Sequence, residues 1–323
     1  MKKFFTIALM FAGLNLAHAQ DGKVHGKIFS NFNYSVNDEA AEFGITRAYF
    51  GCKYQYSDAL SAKLTLDVGG ADTYARTAYL KVAALQWKAS DKLTVNFGQV
   101  ELKQFKVQEK NWGYRYIQKS AQDAFKMGPS ADMGLTADYK LHDMVAVDFT
   151  MVNGEGYKKN QSDANMKKGF GLTLKPVDEL TLRIYTDMMS KSDEGSEEDS
   201  TLVSFPSQNT MALFIGYKAE DLRLGAEYNT QSAHGNIEGA DYNIVSAYGT
   251  YYVNDHVGVF ARYDMVSCGE GGHDSKNGDY VIAGLEYRPV KGVSVSANLQ
   301  GFTPEEEEGN AENSIFMNLQ YKF

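Results

Sequence analysis

At 323 residues, with 43% hydrophobic and 23% charged side chains, the chain is long enough for one large folded unit and too polar for a bundle of membrane helices. Only 5 Pro stand against 30 Gly, 21 Tyr and 18 Phe, which favours long hydrogen-bonded strands over a mostly helical enzyme, because Pro removes a ladder donor. A net charge of −9 and a pI near 5.2 argue against a nucleic-acid binder, and two cysteines offer no zinc-type spacing.

In chain order, residues 1–19 read as an export signal. Lys2 and Lys3 precede the apolar run from Phe4 to Leu14, and Ala17-His18-Ala19 carries the small-x-small pattern of a cleavage site. The run is short for a bilayer span. Residues 20–323 are then expected to form a single transmembrane β-barrel. Cys52 and Cys268 are read as incidental, with no pairing between them.

Past the signal, a two-residue alternation repeats down the chain. In Ala48, Phe50, Cys52, Tyr54 and Tyr56 every second residue is apolar, while Arg47, Tyr49, Gly51, Lys53 and Gln55 between them are mostly polar or small. The same pattern runs through Leu60 to Val68, Val257 to Met265 and Ile315 to Phe323. About sixteen such segments fall near 24–35, 43–56, 60–70, 74–88, 92–103, 131–140, 144–152 and 167–175, then 180–189, 209–218, 221–231, 242–253, 256–266, 279–288, 291–301 and 314–323, each the length of a tilted membrane strand. Short turns alternate with longer polar connections at 36–42, 71–73, 104–130, 153–166, 190–208, 232–241, 267–278 and 302–313. That alternation is what a closed up-and-down barrel requires. A sandwich would turn its apolar face inward and is rarely so uniform over consecutive hairpins. In lipid, by contrast, a sheet must close on itself, and with sixteen strands it encloses water.

Several short motifs carry a resemblance. The run Gly44-Ile45-Thr46-Arg47-Ala48-Tyr49-Phe50-Gly51 with Tyr56-Ser57-Asp58, the segment ending Phe97-Gly98-Gln99, and Met133-Gly134-Leu135 leading to Met151-Val152-Asn153-Gly154-Glu155-Gly156 resemble porins of the phosphate-selective O and P type. Phe323, closing an alternating strand, resembles the sorting signal of outer-membrane barrels. Glu101 and Lys103 stand where that family often carries Lys and Pro. The resemblance implies a passive channel in a Gram-negative outer membrane, trimeric as related porins are, in contact with lipid and lipopolysaccharide and passing small hydrophilic or anionic solutes, phosphate among them. No cofactor, metal or nucleic acid is called for.

On the wet face, thirteen cations stand against seven acids; Arg47, Lys81, Arg183, Arg223 and Arg262 are the expected pore-lining cations among them. The connection 104–130 is the expected constriction, since it carries Lys106, Lys110, Arg115 and Lys119 with Trp112, Tyr114 and Tyr116 interleaved. Its rival placement is outside, against a neighbouring subunit or lipopolysaccharide. An outer-membrane enzyme is the contrasting class and would use His234 or His273, with Ser232, Asp241, Asp274 or Ser275 nearby; no catalytic motif surrounds them. An adhesin would differ only in lacking conductance. Most aromatics fall in the lipid-facing register, which argues against a lumen built for sugars.

Overall fold

The computed structural model describes residues 22–69, 76–192, 194–195, 202–269, 276–305 and 311–323. The expected signal at 1–19 lies outside these residues, as do 71–73 and most of the acidic runs at 193–199 and 305–308. Among the described residues, sixteen antiparallel strands close into one barrel. The first half comprises β1 (Lys23–Ser35), β2 (Ala40–Gln55), β3 (Leu60–Gly69), β4 (Thr77–Lys88), β5 (Leu93–Glu101), β6 (Ala131–His142), β7 (Val145–Val152) and β8 (Lys167–Val177). The second comprises β9 (Leu180–Met189), β10 (Gln208–Lys218), β11 (Leu222–Ser232), β12 (Tyr242–Tyr252), β13 (Val257–Cys268), β14 (Gly278–Tyr287), β15 (Val293–Pro304) and β16 (Glu312–Lys322). A two-residue ladder, Glu194–Gly195 with Leu202–Val203, forms a separate small sheet.

Successive side chains of a strand point to opposite faces, and here one face is apolar and the other polar. In β13, Val259, Tyr263 and Met265 are exposed on the outside while Phe260, Arg262 and Asp264 are buried within. An apolar band of this extent is rare on a water-soluble protein and is the surface that hydrocarbon covers. Tyr54, Trp87, Tyr139, Tyr217, Tyr251, Tyr287 and Tyr321 all lie exposed toward the short-turn end, where ring and polar edge suit a membrane–water boundary. Cys52 is exposed and Cys268 buried, and they form no disulfide.

Four register shifts interrupt the pairing of the described strands; those of β6 with β7 and β8 with β9 lie beside short turns, and two lie within the sheet. Pairing of β1 with β2 shifts so that Thr46 is the extra residue, and pairing of β3 with β4 shifts at Lys81. Before the first bulge Phe43 and Ile45 face out; after it the outward set becomes Phe50 and its partners at even positions. This change of phase explains why β2 starts at Ala40 and not at the expected 43, so the first long connection shrinks to residues 36–39. Bulges re-aim side chains, and these two sit beside Arg47 and at Lys81.

The ends of the sheet meet in a seam. β1 pairs with β16 from Lys27 opposite Lys322 to Ser35 opposite Ser314. Gly26 and Phe323 exchange backbone hydrogen bonds at 2.9 and 3.1 Å, and the Phe323 ring covers Gly26, where a Cβ would collide with it.

Candidate functional site

The connection between β5 and β6 turns back into the barrel, which corrects the rival external placement. It forms α1 (Lys106–Trp112), which ends at Gly113 in the left-handed conformation, and a single turn α2 (Ala121–Ala124). Trp112 is fully buried, and its ring meets those of Tyr114, Tyr248 and Phe260 at 5.1, 5.2 and 6.2 Å. The indole N–H donates to the Gln118 carbonyl at 2.9 Å. Tyr116 donates to the Glu286 carboxylate at 3.0 Å, and Gln231 donates to the Met127 carbonyl at 2.6 Å. The loop is therefore moored to β11, β12, β13 and β14 by rings and by hydrogen bonds to its backbone.

Three of the expected pore cations belong to this mooring. Arg183 makes a bidentate pair with Asp148 at 2.6 and 3.0 Å and donates to the Lys103 carbonyl at 3.1 Å. Arg262 pairs with Asp264 at 2.6 Å and donates to the Lys119 carbonyl at 2.5 Å. Arg223 lies 4.9 Å from the Tyr114 ring centre and is buried. All three are buried on the wall behind the loop, Arg183 at the edge of a lumenal cavity beside it, because sequence phase reports which face a residue is on and not what covers that face.

The remaining cations surround the gap. From the barrel wall, Lys27 and Lys81 are electrostatically coupled to Lys106 and Arg115 of the loop. Arg47 lies 3.3 Å and Lys81 3.8 Å from the Asp67 carboxylate, which is fully buried and also accepts from the Tyr157 hydroxyl at 2.5 Å. On the loop, Lys106 pairs with Glu109 at 3.1 Å, and Arg115 lies between Glu109 at 3.3 Å and Asp123 at 3.5 Å. Lys119 also meets Asp123 at 3.5 Å. Leaving aside the Lys63–Glu101 pair, whose carboxylate also acts on Lys106 and Lys81, six partly exposed cations (Lys27, Arg47, Lys81, Lys106, Arg115 and Lys119) stand here with three acids, Asp67, Glu109 and Asp123. Nearby, Glu101 is neutralised by Lys63 at 2.5 Å. Lys110 is exposed and, with Lys103, Lys106 and Asp138, lines a lumenal cavity of about 410 Å³ toward the short-turn end.

Burial alone would lower the Lys106 pKa, but Glu109 and Glu101 outweigh it and raise it. Burial lowers that of Lys119, with Asp123 opposing and Arg115 and Arg47 adding to the shift. On raising the pH, Lys119 therefore loses its charge ahead of an ordinary lysine while Lys106 keeps its own. Any anion preference of the gap is expected to decline on the alkaline side. Reversal potentials measured from neutral to alkaline pH check this, and Lys119→Arg should abolish the early part of the decline.

Gly113 closes α1 at φ 75°, its N–H donating to the Glu109 carbonyl at 2.9 Å, and a Cβ there would strike the Arg223 guanidinium. Gly113→Ala should cost about 1–2 kcal/mol from the left-handed backbone alone. Native-state hydrogen exchange should show it as faster opening of the loop, with the barrel strands unchanged.

Sequence phase did not reveal Tyr157, which reaches Asp67 from the connection after β7. It did contain Tyr49, a ring in the wet register between Ala48 and Phe50, now packed on Phe29 at 6.0 Å with Lys81 over its face at 4.9 Å. Of the residues considered for catalysis, His234 contacts the Gln231 side chain at 2.5 Å through Nδ1, and the Asp241 carboxylate accepts from the Ala233 N–H at 2.9 Å. His273, Asp274 and Ser275 lie outside the described residues.

Among solved structures, the fold is shared with OprB of Pseudomonas putida, at TM-score 0.73 and 11% identity over 94% of each chain. OmpF of Salmonella typhi, solved with daunomycin, aligns at TM-score 0.70 and 15% identity over 94% of this chain and 97% of its own. The anion-selective porin of Comamonas acidovorans aligns at 0.65 and 10% over 94% and 99%. The chain has the fold of outer-membrane porins. No family model matches the sequence, and no curated protein matches it.

Proposed function

We propose that the chain is an outer-membrane channel for passive diffusion of small hydrophilic solutes, with a preference for anions. The observation that carries the reading is the charge of the inner loop and of the wall at Lys27, Arg47 and Lys81, where six partly exposed cations stand with three acids. Fixed charges at a narrow wet passage raise the local concentration of counter-ions and exclude co-ions. The protein as a whole carries −9, so the sign at the gap is a local arrangement. The shared fold with porins, one of them anion-selective by its description, supports the same reading. The reading includes export by a signal at 1–19, residence among lipid and lipopolysaccharide, assembly as a homotrimer and no catalytic role. Phosphate is the anion suggested by the resemblance to the O and P type.

Planar bilayers under a salt gradient test it. The expected result is a reversal potential of the anion-selective sign, together with competition between phosphate and chloride. A cation-selective sign overturns the charge argument, and a folded barrel with no conductance favours an adhesin.

A further inference from the structure

A second lumenal cavity, of about 360 Å³, lies between the returning arm of the inner loop and strands β14 to β16. Its chemistry differs from that of the gap. Phe125 of the loop meets Tyr280 edge to face at 5.1 Å, and Tyr280 stacks on Phe302 at 4.4 Å with an interplanar angle of 25°. Tyr280 and Phe302 remain partly exposed. Around these rings stand the neutral hydrogen-bonding groups of Gln118, Gln300 and Ser314. The charges on the lining balance: Lys119 and Lys276 against Asp264 and Glu312.

We propose that this cavity is a subsite for neutral pyranose sugars. A pyranose presents a flat face of C–H bonds, which packs on aromatic rings, and a rim of hydroxyls, which needs amides and hydroxyls that both donate and accept. Ring wall, polar rim and balanced charge supply those requirements together, and the volume is that of a small-ligand pocket. A free inorganic anion would gain nothing from the rings, and the cations near the cavity are matched by acids on its own lining. The cavity lies on the inner side of the barrel wall, so the inference rests on the channel reading and adds a class of solute to it. Many aromatics do lie on the outer face, as the alternation led one to expect, and Phe125, Tyr280 and Phe302 are among those that turn inward.

Single-channel recording with maltotriose as the probe tests the inference. The expected result is brief, saturable interruptions of the ionic current. In Phe302→Ala the half-saturating concentration should rise about tenfold, with open-channel current and reversal potential unchanged. Gln300→Ala should act in the same direction. Interruptions that do not saturate, or that persist unchanged in both variants, overturn the subsite. If the protein passes no current at all, the channel reading fails by itself, and calorimetric titration of the detergent-solubilised protein with maltotriose still decides the cavity: saturable heat lost in Phe302→Ala supports it, and no saturable heat overturns it.

Discussion

Trp112→Ala should release the inner loop and enlarge the channel. The side chain is fully buried among Tyr114, Tyr248 and Phe260, and its N–H ties the end of α1 to the Gln118 carbonyl across the turn that follows. Truncating a buried aromatic of this size costs about 3–5 kcal/mol, against about 1 kcal/mol net for each hydrogen bond that remains. The barrel ladders do not pass through Trp112, so the loss falls on the loop. We expect a larger and noisier single-channel conductance with weakened selectivity, while strand content by circular dichroism stays the same. Trp112→Phe keeps most of the ring contacts and should stay close to the parent protein. A Trp112→Ala channel with unaltered conductance and noise would mean that the loop does not set the bore.

The second large effect is electrical. Replacing both Arg115 and Lys119 by Glu changes the gap from six cations and three acids to four cations and five acids, which reverses the sign of the local charge. Two unit charges 4 Å apart in a water-like medium interact by about 1 kcal/mol, roughly a fivefold factor in partition for each charge met. Two reversals should therefore move the anion-to-cation permeability ratio by an order of magnitude or more and turn the reversal potential to the opposite sign. The shift should shrink at high salt, where screening shortens the reach of these charges. Arg183 and Arg262 serve as the contrast. Both are buried in ion pairs behind the loop, so Arg262→Lys should change loop stability with little change of sign or size in the permeability ratio.

Much of the barrel was legible in the chain because lipid on one side and water on the other impose the same alternation on every strand. The limits of β9, Leu180–Met189, fall where the pattern sets them, and those of most other strands within one to three residues. The three-residue shift at the start of β2 has a local cause. The bulge at Thr46 changes the phase of β2, and Glu42 hides the start of a strand whose first residues pair with Tyr34 and Ser35. The site was legible in its composition and less so in its geometry. Lys106, Arg115 and Lys119 could be assigned to the inner loop from charge and spacing, but which wall that loop would lean on depends on rings far away in sequence, such as Tyr248 and Phe260. For that reason Arg183, Arg223 and Arg262 looked equivalent to Arg47 and Lys81 in sequence and differ in space. Tyr157 was hidden for the same reason: nothing near it in the chain points to Asp67.

The seam joins strands from opposite ends of the chain, with residue 27 set against residue 322. Contacts between such distant positions form slowly. Until they form, both margins of the ribbon carry rows of N–H and C=O groups that oil leaves without partners. A partly assembled ribbon therefore has no stable berth inside a bilayer, and insertion and circularisation must proceed as one event. Before that event the greasy flanks of all sixteen ribbons are open to water, where exposed apolar surface favours clumping.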